Sequence, residues 1–369
     1  MKVLFVSKEG QLLPLAERVE DEGHTVTLHI HDKKYVERGR GTVKTRSATF
    51  VGPLIEGQNA ISGSITNLID RVAPDIVVCD KGMGKVGEIV KRMGIKTWGS
   101  DRWSELVHGD YERKMLRAMG VSEFKEPEPS DASFGVGAFS DGDILYNPFL
   151  CVRERGMQNR GVGVQIDSSV CVQALHAGHP LLKELQKIEE VIKKVSYKGM
   201  LVLSNKLEVG FSLPLFACLY ELTKGRVLSV LKGDKAEVTK QWAAATRITL
   251  PPFPAPASHK FTKHMEIGPK AKRHIWLVDS SNSQVGICNG DVGWVSARGT
   301  DEPQPVKEGE EPWLVNPLRE CRRRILRTIS NIKSQNEVLA EIQYRTDLGV
   351  RAAMILAEYE AKDKTEWEE

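Results

Sequence analysis

Four apolar runs in the first hundred residues, 2–6, 25–30, 76–79 and 95–98, have the length and composition of buried strands. Helical spacing fills the gaps between them. Leu12, Leu13, Leu15, Ala16 and Val19 precede Gly23, residues 60–70 form a second helical stretch, and Val86 to Met93 precede Gly94. Strand–helix–strand alternation admits few folds, since each strand must be covered on both faces. Residues 1–100 are expected to form a small doubly wound α/β domain.

Such sheets hold ligands beyond the carboxyl ends of their strands. Two loops fall there. Lys8-Glu9-Gly10 follows the first strand and leads into a helix, so Gly10 would offer backbone N–H groups to a phosphate. A plain tight turn is the alternative, because a dinucleotide fingerprint needs more glycines. Asp80-Lys81-Gly82-Met83-Gly84-Lys85 follows the third run. Gly82 and Gly84 would let the backbone approach a ligand, and Lys81 or Lys85 would face a phosphorylated small molecule. It is no P-loop, for the Gly-Lys-Ser/Thr ending is missing. Exposed lysines on ordinary turns are the other reading.

Further on, strands are expected over 136–145 and 148–152, joined at Asp141-Gly142, and an amphipathic helix over 181–195. Residues 200–203 read as a buried strand, 204–210 as a polar loop, and 213–220 as a helix. In that loop Asn205 and Glu208 are oxygen ligands of the type that hold magnesium, or simply solvated turn residues. A helix over 226–240 and a strand over 243–250 precede a proline-rich connection, and the chain is β-rich from Ile275. The helix over 317–333 places Leu318, Cys321, Ile325, Ile329 and Ile332 on one face and most of Arg319, Arg322, Arg323, Arg324 and Arg327 on the other. An arginine row is a solvated face or a nucleic-acid contact.

With 369 residues the chain has room for two or three domains. The net charge of +3 argues neither for nor against a polyanionic partner. The six cysteines include no Cys-x-x-Cys pair, which speaks against zinc and for buried thiols in a reducing cytoplasm. No apolar run is long enough to span a bilayer, and the first residues form a strand rather than a signal peptide, so a cytoplasmic location is expected.

The order of these pieces resembles phosphoribosylamine–glycine ligase (glycinamide ribonucleotide synthetase), an ATP-grasp family of purine biosynthesis. Arg345-Thr-Asp347-Leu-Gly349-Val-Arg351-Ala352 is similar to that family's closing Arg-x-Asp-Ile-Gly-x-Arg-Ala. The hairpin from Asn289-Gly290 to Gly299, the strand Ala243–Leu250 with its proline turn, and the strand ends at 76–85 and 95–100 match in order. The resemblance implies a three-part α/β chain: a doubly wound N-terminal domain (1–100), an ATP-grasp core (101–240) and a β-rich C-terminal domain with terminal helices (241–369). It implies ATP and Mg as cofactors. In this family ATP phosphorylates the glycine carboxylate, and the amine of phosphoribosylamine attacks the acyl phosphate.

The departures bear on activity. Leu203 stands where the family has a metal-binding glutamate and Leu207 where it has an arginine, leaving Asn205 and Glu208 as the expected metal ligands. Only a Pro/Ser/Glu-rich connection joins Val121 to Gly142, so the core is expected to be reduced and without its lid. Arg155 stays where the family has His-Lys-Arg, as a substrate contact. Three readings follow: a shortened ligase joining an amino acid to an amine, a non-catalytic relative (a pseudoenzyme) acting as a binding subunit, and amino-acid transfer to a modified nucleotide or nucleic-acid base. The last would use 260–273 and Arg319–Arg327 as its contact surface.

Overall fold

The computed structural model describes residues 1–32, 58–107, 132–155, 167–175, 179, 182–204, 207–223, 227–232, 242–251, 260–264, 267–278, 280–281, 284–288, 290–299 and 317–355. Asn205, Asn289, the proline turn at 252–256 and residues 233–240 of the helix expected over 226–240 lie outside them.

The apolar runs at the start become β1 (Lys2–Ser7), β2 (Thr25–Ile30), β3 (Ile76–Cys79) and β4 (Lys96–Gly99), with helices α1 (Leu13–Asp21), α2 (Gln58–Val72) and α3 (Gly84–Arg92) between them. All pairings are parallel, in the order β2-β1-β3-β4. The chain thus steps one way from β1 to β2 and the other way from β3 to β4. Strand order reverses between β1 and β3, the place where an open α/β sheet leaves a crevice at its carboxyl edge. A short helix, α4 (Arg102–Leu106), follows β4 and is capped by Asp101, whose carboxylate accepts from the Ser104 N–H at 2.8 Å.

Beyond it lies a second, largely antiparallel sheet. Its strands include β5 (Ala132–Asp141), β6 (Leu145–Arg155), β7 (Asp167–Ala174), β8 (Lys198–Leu203), β9 (Leu207–Val209) and β10 (Trp242–Thr249), then β11 (Lys260–His264) to β15 (Asp291–Arg298). Alternate residues serve opposite cores. Leu150 and Val152 of β6 pack with α5 (Leu182–Val195) and α9 (Pro317–Gln335). Phe149 and Cys151 pack with α6 (Leu213–Leu222) and strands of the first domain. A sheet buried on both faces needs apolar residues at every position, hence the near-continuous runs. The stretch from Val121 where the lid is expected to be missing lies, up to residue 131, outside the described residues.

The expected polar loop at 204–210 is instead half a hairpin: Leu207–Val209 returns antiparallel along β8, pairing Leu203 with Leu207. The reason is period-two alternation, with Leu207 and Val209 buried and Glu208 half-buried between them. The turn at Asp141-Gly142 lies where expected. The Asp141 carboxylate accepts from the N–H groups of Asp143 and Ile144, both at 2.9 Å.

Candidate functional site

The crevice at the strand reversal is built by two loops that hold each other. The Ser7 hydroxyl, at the end of β1, donates to Asp80 Oδ2 at 2.6 Å, at the end of β3. The same hydroxyl oxygen accepts from the Gly10 N–H at 2.9 Å, and Asp80 Oδ1 accepts from the Lys81 N–H at 2.7 Å. Asp80 is buried, and this burial pushes its carboxyl up to about 6, against the opposing pull of the bonds from Ser7 and Lys81.

Above this clasp lies an open cleft of about 380 Å³ lined by Lys8, Glu9, Gln11, Asp80, Lys81, Gly82 and Glu105. Gly82 has φ +85°, a conformation that costs a residue with a Cβ, and its open side meets only the Lys8 stem at 3.4 Å. So Lys81 and Gly82, expected at a ligand, line one cleft together with Lys8. Gly10 is buried behind it and holds the loop through Ser7. Gly84 opens α3 and turns toward α4: its N–H donates to Glu105 Oε1 at 2.6 Å, and an added Cβ would lie 2.5 Å from the Asp101 carbonyl oxygen. Lys85 is exposed on α3, away from the cleft lining.

Glu105 is the residue that sequence reasoning missed. It sits in a stretch with helical spacing and no motif, and only the packing of α4 on α3 brings it to the cleft. Its carboxylate occupies the helix N-terminal N–H that an incoming anion would otherwise take. The cationic side chains left in the lining are Lys8 and Lys81.

The closing motif has a different role in the fold. The Glu154 carboxylate, fully buried at the end of β6, accepts from the N–H groups of Gly349, Arg351 and Ala352 at 3.1–3.3 Å. These lie at the start of the last described helical turns, 350–355. Ser169 also donates to it. Arg345 NH2 donates to Asp347 Oδ2 at 3.0 Å, and Arg345 Nε lies 3.6 Å from Glu154. Nε is also 2.8 Å from Asp347 Oδ1, an ion pair too bent to be a hydrogen bond. Arg345, Asp347 and Gly349 thus hold a buried carboxylate and dock residues 345–352 on the central sheet.

At the β8–β9 hairpin, Glu208 Oε2 is 2.7 Å from Arg153 NH1. Leu203 and Leu207 are buried in the core beside them. Arg155 closes β6, in register with Asp167. Among the described residues no group of three or more His, Cys, Asp or Glu side chains gathers as a metal site. No described helix is long and apolar enough to cross a membrane.

No protein-family model and no curated protein matches the sequence. Solved structures do match. The biotin carboxylase domain of a single-chain bacterial carboxylase superposes with a TM-score of 0.54 at 10% identity, covering 98% of this chain and 100% of that one. Phosphoribosylamine–glycine ligase from Thermotoga maritima gives 0.53 at 14% identity, covering 94% and 100%. The biotin carboxylase subunit of a pyruvate carboxylase gives 0.53 at 11%, covering 94% and 97%. The fold is the ATP-grasp fold. At such identities the likeness extends to the fold alone.

Proposed function

We propose that this chain is a lidless relative of phosphoribosylamine–glycine ligase. It takes a phosphorylated amine at the cleft between β1 and β3 and joins an amino-acid carboxylate to it with ATP. The observation that carries this reading is the cleft itself. Two lysines, Lys8 and Lys81, flank an approachable backbone at Gly82 on the carboxyl edge of the sheet. Two ammonium groups suit a phosphate dianion, and the volume of about 380 Å³ is that of a small-ligand site. The ATP-grasp fold of the whole chain supports the nucleotide part.

The described residues do not fit magnesium at the expected place. Glu208 is committed to Arg153 at 2.7 Å, Leu203 and Leu207 offer no donor atom, and Asn205 lies outside the described residues. An Asn205–Glu208 site would require Glu208 to leave Arg153. One lost electrostatic contact to a transition state costs about 3 kcal/mol, roughly a hundredfold in rate.

Turnover on glycine and phosphoribosylamine is therefore expected to be slow, about 0.1 s⁻¹ or less against an ordinary enzyme's ~10 s⁻¹. A coupled assay with both substrates and magnesium-ATP tests this. Turnover near the ordinary value that is lost in Glu208→Ala would contradict the slow-ligase reading. Complete inactivity with intact ligand binding would make the chain a non-catalytic relative.

A further inference from the structure

The far side of the first domain carries a larger cleft, of about 950 Å³, that the proposed ligase chemistry does not use. It lies at the end of α1 opposite the Gly10 loop, roughly 13 Å away at 1.5 Å per residue over nine residues. Its walls come from α1, α6, the turn at 270–274, the end of β15 and α9. Folding thus brings residues 270–273 together with Arg324 and Arg327, from two basic segments far apart in sequence.

The charge is concentrated there. Among the lining residues seven are Arg or Lys and three are Asp or Glu, a net +4 where the whole chain has +3. The three carboxylates are engaged. Asp21 lies 3.6 Å from both Arg18 and Lys272, Glu22 accepts from the Leu228 N–H, and Glu221 accepts from Ser296 and meets His274 at 2.8 Å. Arg324 pairs with Glu320 at 2.7 Å. Lys270, Arg273, Arg298 and Arg327 have no carboxylate partner among the described residues. Four solvated cations converge on one cleft, where they repel one another unless an anion is present.

Three of these four are arginines, whose planar forks match phosphate oxygens two at a time. No exposed large apolar side chain of the described residues lines the cleft, which argues against a lipid surface or an apolar protein partner. Trp276 is buried, and the Arg18 guanidinium lies over its ring at 4.8 Å and over the Tyr220 ring at 5.7 Å, taking up those faces against base stacking.

We infer that this cleft binds the phosphodiester backbone of a nucleic acid, without reading its bases. The inference does not depend on the ligase reading, since the two clefts share no lining residue.

Fluorescence anisotropy with a labelled 20-nucleotide single strand and a 20-base-pair duplex tests it. Four neutralised phosphates predict an affinity that falls roughly a hundredfold between 50 and 200 mM salt. Arg273→Glu with Arg327→Glu, both exposed and without ion-pair partners, should weaken binding at least about tenfold with an unchanged melting temperature. Lys8→Ala with Lys81→Ala should leave it unchanged. No binding of either oligonucleotide at 50 mM salt would overturn the inference. So would wild-type affinity in the double arginine variant, or displacement of the oligonucleotide by inorganic phosphate or ATP at equal concentration.

Discussion

Two carboxylates at strand ends, Glu154 and Asp80, are both buried, yet their surroundings differ in kind. Glu154 is surrounded by donors from distant segments: three backbone N–H groups at 349–352, the Ser169 hydroxyl of β7 and the Arg345 guanidinium. Nothing about it opens to solvent. Asp80 has fewer donors, from Ser7 and Lys81, and it forms the floor of a cleft whose rim carries free lysine heads. Both Asp80 oxygens are bonded, so the difference is access: Glu154 is closed in by protein on every side, while Asp80 borders an opening. By this measure the Arg345–Gly349 motif, the part that most resembles a known family, belongs to the scaffold.

The sharpest way to break the comparison is Glu154→Ala. It removes the carboxylate beside Arg345 and the acceptor of three N–H groups, so a loss of about 3–5 kcal/mol in unfolding free energy is expected. Denaturant unfolding measures it. Glu154→Gln, which keeps one acceptor oxygen, should cost less. A loss below about 1 kcal/mol for the alanine variant would put Glu154 outside the scaffold.

Asp80 should show itself through pH. Its carboxyl is held at about 6 in the folded chain against an ordinary 3.8, so the folded state keeps a proton that the unfolded chain releases between these values. Its contribution to stability is full below pH ~4 and declines as pH rises through 6, by up to about 3 kcal/mol. Asp80→Asn should remove that decline. Equal pH slopes in the two proteins between pH 4 and 6 would contradict the assignment.

Gly87 tests the packing that delivers Glu105. A Cβ there would lie 2.1 Å from the Ser100 carbonyl oxygen, so Gly87→Ala must push α3 from the turn before α4. A cost of about 1–3 kcal/mol is expected, with weaker ligand binding at the cleft, read by thermal melting and titration together.

The smallest effect expected is a gain. Glu105→Gln removes a negative charge from the cleft while keeping an acceptor for Gly84. Affinity for a phosphorylated ligand should rise about three- to tenfold, since like charges nearby oppose anion binding. Unchanged affinity would place the ligand away from α3.

Much of this architecture was legible because its cause is local. The runs at 2–6 and 76–79 read as buried strands, and the loops at their ends, picked out from strand-end position alone, line one cleft. Lys81 and Gly82 line the cleft; Gly84 and Lys85, two and three residues past Gly82, do not, because α3 begins there and turns them to other neighbours. Non-local features stayed hidden. Glu105 reaches the cleft only through packing, and Glu154 only through a terminus almost two hundred residues away. The Leu207–Val209 strand was hidden in a short polar stretch, where two apolar residues flanking one acid are too few to establish a period.

The most direct test is calorimetric titration with ribose 5-phosphate, comparing wild type with Lys8→Ala combined with Lys81→Ala. Saturable binding that weakens at least about tenfold in the double variant, with stability unchanged, is the predicted result. No binding to the wild type, or equal affinity in both proteins, would contradict the assignment of the β1–β3 cleft as the site for the phosphorylated substrate.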